Sequence, residues 1–416
     1  MHLSPRQTPA ALLLAAALAA VPTAHAAGPL SAHAAGPPVA AVAGPRAGEL
    51  PATAPAVPVG RSPRAVRGQY IVTLKPGRVP GEILRALGIT PRYTYARALN
   101  GFAATLDPLV LRAVRTDPAV AAVEENSTVS VPASPEDTAV RAPAASWGLD
   151  RIDQRNLPLD GEFTTQGHGA GASAYILDTG IDFGHEQFGG RAVPGFDAVG
   201  DGRNGLDCQG HGTHVAGTVA GRTYGVAPQA ALVAVRVLDC TGNGDKAQTI
   251  AGLDWVAQHA HRPAVLNASV GEERSQALND AFTALSDQGV LPVVAAGNDA
   301  VDACTASPAS ADRVVTVASS DRDDRQSSFS NWGRCVTLYA PGRSIVSAKL
   351  GGGSTTLSGT SMATPHVTGV AALYAAQHPA ATPADLTAFL TTTATPGVLT
   401  DVHAGTPDKL LFTDGL

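Results

Sequence analysis

Short apolar runs bounded by turns rich in glycine recur along the chain from Trp147 onward: Ser173–Leu177, Ala231–Val237, Ala264–Ala268, Val290–Ala295 and Val314–Ala318. Their length and β-branched content suit strands buried on both faces, as in a parallel sheet. Helical stretches lie among and after them, at Thr213–Ala220, Gln248–His259, Ser275–Asp287 and Met362–Gln377. Strand alternating with helix predicts an α/β fold, a doubly wound and mainly parallel sheet with helices on both faces. In such a sheet functional side chains gather at the carboxyl ends of the strands.

The rest of the chain divides by composition. Arg6, the apolar stretch Ala10–Val21 and the A-x-A site Ala24-His25-Ala26 follow one another as in a secretory signal peptide over residues 1–26, which predicts an extracellular product. Residues 27–68 are rich in Ala, Pro and Gly and read as a flexible leader. Residues 69–131 read as a small α/β domain, with strands at Gln69–Leu74, Phe102–Leu106 and Val120–Val131 and helices at Glu82–Leu87 and Leu109–Asp117. A unit of this size rarely supplies a sufficient core alone, so it needs a partner surface. Residues 132–146 are polar and Pro/Ala-rich, a linker, and 147–416 form the large domain.

Apolar residues at 44% and charged residues at 15% of the 416 exclude a disordered chain. A net charge of −6 offers no basic field for phosphates, so nucleic acid is not expected as a partner. No apolar run reaches the ~18–20 residues of a membrane span, so no membrane anchor is expected. In an oxidising compartment Cys208, Cys240, Cys304 and Cys335 read as disulfides; no C-x-x-C suggests zinc, and three connectivities are open.

Three segments place reactive side chains where this fold would gather them. The first strand ends in Asp178-Thr179-Gly180. Gly210-His211-Gly212-Thr213-His214 enters a helix, and so does Ser358-Gly359-Thr360-Ser361-Met362. A serine hydroxyl becomes a nucleophile when a histidine takes its proton, and a buried carboxylate orients that histidine. Asp178, His211 and Ser361 supply the three groups, and folding is expected to bring them into one hydrogen-bonded line. Taken singly, Asp-Thr-Gly is a turn, the serine a helix N-cap, and His-Gly-Thr-His half a metal site without a third ligand.

Together the segments resemble the three signature motifs of the subtilisin-like serine proteases, closest to the secreted proteinase K branch, with Asp, His and Ser in the same chain order. The resemblance runs from about residue 147 to 413. It implies a secreted endopeptidase acting on protein and peptide substrates, monomeric and without an organic cofactor. It implies that Asn298, after the run ending in Gly297, gives its amide to the oxyanion beside the backbone N–H of Ser361; without the resemblance Asn298 is equally a turn residue. Gly242, Asn243 and Gly244 with Ser269, Val270 and Gly271 would form strand edges that hold an extended peptide. The latter three, with Ala296 and Gly297, would wall the S1 pocket. No acid is evident at the pocket floor, so an apolar or aromatic P1 residue is expected. Asp245 and Lys246 would stand at the groove rim.

Asp150, Asp153 and Gln154 share a helical face by spacing, with Asp160 and Glu162 close behind, an oxygen set that suits Ca²⁺ or equally a solvated acidic helix start. Some proteinase K relatives bind calcium at matching positions. An acidic ligand often found just before the Ala340-Pro341-Gly342 turn is matched here by Thr337, so the resemblance does not extend to a second site. The pairs Cys208–Cys240 and Cys304–Cys335, suggested by chain order, match spacings in bacterial relatives. The small domain resembles the inhibitor-like propeptide of this family, docking on the protease, leaving its tail in the groove and being cut off near Ala139; a free-standing domain with its own ligand is the alternative. Two rivals remain: a binding protein on the same fold, although each catalytic position holds a competent residue, and an α/β-hydrolase esterase, whose triad runs Ser, Asp/Glu, His.

Overall fold

A computed structural model describes residues 55–132 and 146–416. The signal-peptide reading of 1–26 and the junction near Ala139 fall outside these residues. The described chain falls within one compact unit.

Residues 55–132 form strands β1 (Val59–Gly60), β2 (Ala65–Leu74), β3 (Tyr93–Tyr95), β4 (Gly101–Thr105) and β5 (Val120–Ser130), with helices α1 (Pro80–Ala86) and α2 (Pro108–Thr116). The expected strands and helices are all present. The sheet begins earlier than the boundary at 69, because β1 pairs with β5 and β2 starts at Ala65, inside the stretch read as leader. The strand order is β1-β5-β2-β4-β3. One face carries the unit's own core, with Val72, Phe102, Ile83 and Val114. On the other face Ile71, Tyr95, Ala103 and Val129 belong to a core cluster of the large domain. The two-residue period of a strand splits neighbouring residues between these two cores, which is why the unit needs a partner.

The large domain begins with α3 (Trp147–Ile152) and continues through β6 (Ser173–Asp178), β7 (Ala192–Asp197), α4 (His211–Ala220), β8 (Ala231–Arg236), β9 (Asn243–Asp245) and α5 (Lys246–His259). Then come β10 (Ala264–Ala268), β11 (Glu272–Glu273), α6 (Gln276–Asp287), β12 (Leu291–Ala295), β13 (Ala306–Ser307), β14 (Val315–Ser320) and β15 (Leu338–Pro341). The chain closes with β16 (Ile345–Ala348), β17 (Ser354–Leu357), α7 (Thr360–Gln377), α8 (Pro383–Thr393), β18 (Thr395–Pro396) and β19 (Lys409–Leu410).

Nine strands form the central sheet in the order β18-β19-β15-β14-β12-β10-β6-β8-β7. All its pairings are parallel except β18 with β19. Ala174 and Ile176 of β6 pack toward α4 and α7, whereas Tyr175 and Leu177 pack toward α5 and α6. This is the doubly wound sheet expected. From β6 the chain goes to the edge strand β7, returns to β8 beside β6, and then crosses to the other side to build outward through β10, β12 and β14. The switch in direction falls between β6 and β10, so their carboxyl ends open the crevice where such folds bind ligands.

Candidate active site

Asp178 ends β6 and is fully buried. Its Oδ1 and Oδ2 lie 2.8 and 3.0 Å from Nδ1 of His211, the first residue of α4. That contact places the ring proton on Nδ1 and leaves Nε2 to act as a base. Burial opposes charge on His211, but the carboxylates of Asp178 and then Asp207 outweigh it and raise the pKa above the ordinary 6.5.

Asp207 is a site residue that the sequence reading missed. Its Oδ2 accepts from the N–H and hydroxyl of Thr213 at 3.0 and 2.6 Å, and its Oδ1 accepts from the hydroxyl of Thr179 at 3.0 Å. It therefore holds the start of α4 against the turn after Asp178. An acid a few residues before a helix is an N-terminal signal that could have found it. Gly212 is needed here because a Cβ would run into the carbonyl oxygen of Gly180.

Ser361 is the second residue of α7 and is buried. The turn before it passes through Gly359 at φ 153°, ψ 162°, a region essentially reserved for glycine. The carbonyl oxygen of Ser361 accepts from Oγ of Ser269, just past β10, at 3.0 Å. Helices α4 and α7 pack together. The expected line is made only in part: Asp178 is bonded to His211, but no hydrogen bond joins His211 to Ser361. Nε2 of His211 and Oγ of Ser361 are both buried and have no partner among the described residues.

The other motif histidines are structural. Burial holds His214 down to about 3 and His366 to about 4. His214 bonds Ile345 O at 3.0 Å, and His366 bonds Met362 O at 2.9 Å. Asn298 follows Gly297 after β12, and its Oδ1 accepts from the N–H and hydroxyl of Thr360 at 2.8 and 2.9 Å. Its amide is thereby fixed one residue from Ser361. The buried Asn331, also missed by sequence, holds that loop by donating to Ala296 O at 2.8 Å and accepting from Asp299 N at 3.0 Å.

Of the groove residues, β9 presents a strand edge to β5, with Val129 opposite Gly244 and Ser130 opposite Asn243. Gly271 exchanges bonds of 3.2 and 3.5 Å with Ser130, and Gly242 O accepts from Val131 N at 3.1 Å. A cavity of about 560 Å³ continues beyond, lined by Gly242, Asn243, Gly271, Ala296 and Gly297. Gly244, Ser269 and Val270 are not among its lining residues. Ser269 and Val270 are fully buried, and the Val270 side chain packs in the core, so neither side chain forms the expected wall. The carboxylates of Glu273 and Asp299 do line the cavity, which the sequence reading did not anticipate.

Residues 169–413 match the Subtilase family, and residues 85–132 match the Peptidase inhibitor I9 family. The chain belongs to the subtilase family. It is 44% identical over 379 residues to an extracellular serine proteinase of Thermus sp. (strain Rt41A), covering 85% of this chain and 91% of that one. It is 47% identical over 322 residues to alkaline serine exoprotease A of Vibrio alginolyticus, covering 76% of this chain and 59% of the other. Among solved structures it resembles a cold adapted subtilisin-like serine proteinase, with TM-score 0.64 and 50% identity over 65% of this chain and 99% of that one. It is thus a subtilisin-like serine proteinase carrying an I9 propeptide.

The propeptide of this subtilase docks through charge-assisted bonds to helix starts and backbone. Glu124 Oε1 accepts from Ala277 N at 2.8 Å and its Oε2 from the Ser275 hydroxyl at 2.8 Å, capping α6. Asn126 Oδ1 accepts from Ala247 N at 3.0 Å at the start of α5. Asp254 Oδ1 accepts from the N–H groups of Ala96, Arg97 and Ala98 at 3.0, 2.6 and 2.8 Å. Asp245 and Lys246, expected at the groove rim, face the propeptide: Asp245 pairs with Arg92 at 2.5 Å, and Lys246 is buried 3.4 Å from Glu124. Cys208 is bonded to Cys240 and Cys304 to Cys335.

The expected calcium residues occupy one loop with a different local shape. Helix α3 ends at Ile152, so Asp153 is its C-cap and Gln154 lies beyond it, not on a shared helical face. Asp150 accepts from Asp160 N and Gly161 N at 3.3 and 2.9 Å, Asp153 Oδ2 from Thr164 N at 2.7 Å, and Gln154 Oε1 from Asp160 N at 3.2 Å. Asp153 Oδ1 is buried without a partner among the described residues, and burial, with Asp160 and Asp150 nearby, pushes its pKa to about 6. Glu162 is exposed, and its backbone N donates to Asp160. Among the described residues, the only ligand group of three or more Asp, Glu, His or Cys within 4.8 Å is Asp201 with Cys208 and Cys240, whose sulfurs are already bonded to each other.

Proposed function

We propose that this subtilase is a secreted, self-processing endopeptidase that hydrolyses peptide bonds with Ser361 as nucleophile, His211 as general base and Asp178 as the group that orients it. The supporting observation is the buried Asp178–His211 contact at 2.8 Å, which leaves Nε2 open; it and the Ser361 hydroxyl are both buried without a partner among the described residues, on helices α4 and α7 that pack together. Oγ of Ser361 adds to the substrate carbonyl as its proton passes to Nε2. Asn298 and the N–H of Ser361 take the developing oxyanion, favoured by the dipole of α7. The proton then goes to the leaving amine, and water cleaves the acyl-enzyme.

Residues 1–26 serve export and 132–146 connect propeptide to protease; the similarity to an extracellular serine proteinase supports release from the cell. One chain contributes every group above, in keeping with a monomer. The small walls Ala296 and Gly297 favour apolar or aromatic P1 side chains, and the exposed Glu273 and Asp299 stand where a basic one would gain. The orphan Asp153 oxygen fits a structural Ca²⁺ held with Asp150, Gln154 and Asp160, which would supply the partner that Oδ1 lacks. Glu162 is left out of that set.

A peptide anilide and a simple ester, each with the wild type and Ser361→Ala, test the reading. Anilide cleavage lost in the variant supports it. Ester cleavage without anilide cleavage favours an esterase, and neither activity favours a binding protein.

A further inference from the structure

The tail of the propeptide lies between two strand edges, and its register singles out one carbonyl. On one edge Thr128, Val129 and Ser130 stand opposite Asp245, Gly244 and Asn243, and Val131 N–H donates to Gly242 O at 3.1 Å. On the other edge Ser130 stands opposite Gly271 in an antiparallel bridge. Antiparallel strands run in opposite directions one residue at a time. Val131 therefore falls opposite Val270, and Pro132 opposite Ser269. Ser269 is the residue whose hydroxyl bonds the carbonyl of Ser361 at 3.0 Å. Pro132 also lines the cavity shared with Ala296 and Gly297, directly before Asn298.

We infer that the precursor cuts itself on the carboxyl side of Pro132, at the near end of the linker rather than near Ala139. This rests on the reading of Ser361 as nucleophile. Oγ of Ser361 forms a bond to the carbonyl carbon of Pro132 as its proton moves to Nε2 of His211. The bond from that carbon to the next nitrogen breaks, and the same proton goes to the departing amine. Water then adds to the Ser361 ester: its hydroxyl ends on the Pro132 carboxyl group, and its proton returns through His211 to Oγ. One water is consumed and nothing is oxidised or reduced.

Proline at this position has a consequence. It carries no N–H, so it cannot donate to the Ser269 edge as another residue in that register would. The tail is clamped up to Val131, and the reacting residue itself is held least. Self-cleavage is therefore slower than the same register would allow with a donor at 132.

The test is cell-free synthesis of the full chain without other proteases, followed by intact-mass measurement of the earliest N-terminal fragment. The expected fragment ends at Pro132, the mature chain begins at Ala133, and Ser361→Ala is not cut. A first fragment ending near Ala139 or elsewhere, with Ser361→Ala uncut, overturns the register assignment and leaves self-processing standing. Equal cutting of Ser361→Ala overturns self-processing itself. Pro132→Ala supplies an independent readout: the cut stays after residue 132 and becomes severalfold faster. A cut that moves to another bond, or one that is no faster, contradicts the proposed register and its missing donor.

Discussion

Ser127 of the propeptide donates to Oε2 of Glu272 in the protease at 2.5 Å, across an interface that buries both side chains. The other carboxyl oxygen has no hydrogen-bond partner among the described residues and stands 4.0 Å from Nζ of Lys246. Burial pushes Glu272 up to about 7; Lys246 and Ser127 oppose the rise, and Glu124 and Glu273 add to it.

Propeptide affinity is therefore pH-dependent. Bound, Glu272 keeps its proton to about pH 7; released, it faces water and returns toward its ordinary 4.5. The docked state binds the extra proton, so docking is strongest below about 4.5 and weakens as pH rises to about 7. Inhibition of the mature enzyme by added propeptide is expected to weaken by more than about tenfold across that window, and Glu272→Gln to flatten the dependence. A wild-type profile as flat as that of the variant would contradict this.

The raised pKa of His211 sets the acid limit of catalysis. The base works when neutral, so kcat/KM falls as pH drops through a midpoint above 6.5. Asp178→Asn removes the main raising charge; the midpoint moves down, and kcat falls by about 10⁴-fold. Rate–pH profiles of both forms read the shift.

Asn298→Ala is expected to lower kcat by about 10²- to 10³-fold, the loss measured for such a donor in a subtilisin, with little change in KM. A drop confined to KM would make Asn298 a binding residue.

Chelation of calcium should lower the unfolding temperature, and Asp153→Asn should shrink the effect. Measured in a Ser361→Ala background, which avoids self-digestion, an unchanged transition in chelator would remove the calcium reading.

Arg151 is fully buried and pairs with Asp324 at 2.7 and 2.9 Å, while also donating to Gln154 O at 2.7 Å. Arg151→Ala strands a buried carboxylate and should cost on the order of 3–5 kcal/mol. Thermal unfolding in the same background checks it.

Strands buried on both faces leave a pattern that needs no tertiary information, so β6, β8, β10, β12 and β14 were legible from Ser173 to Ala318. Edge elements were not. β7 contains Pro194 and exposed Val193, and the β16–β17 hairpin is too short to show a period. The motif residues Asp178, His211 and Ser361 stood out because chemistry restricts their type. Asp207 and Asn331 did not: Asp207 joins Thr213 to Thr179, which lies 28 residues earlier, and Asn331 bonds backbone groups of a loop 35 and 32 residues before it. The calcium loop misled for a related reason: i, i+3, i+4 spacing assumes that the helix continues, and α3 stops at Ile152. Lys246 read as a rim residue because a charge is usually solvated, and only the docked propeptide explains its burial.

The most direct test is a fluorophosphonate adduct mapped by mass on the processed protein. The account predicts a single adduct on Ser361. An adduct on another serine, or full peptidase activity with Ser361 unmodified, would contradict it.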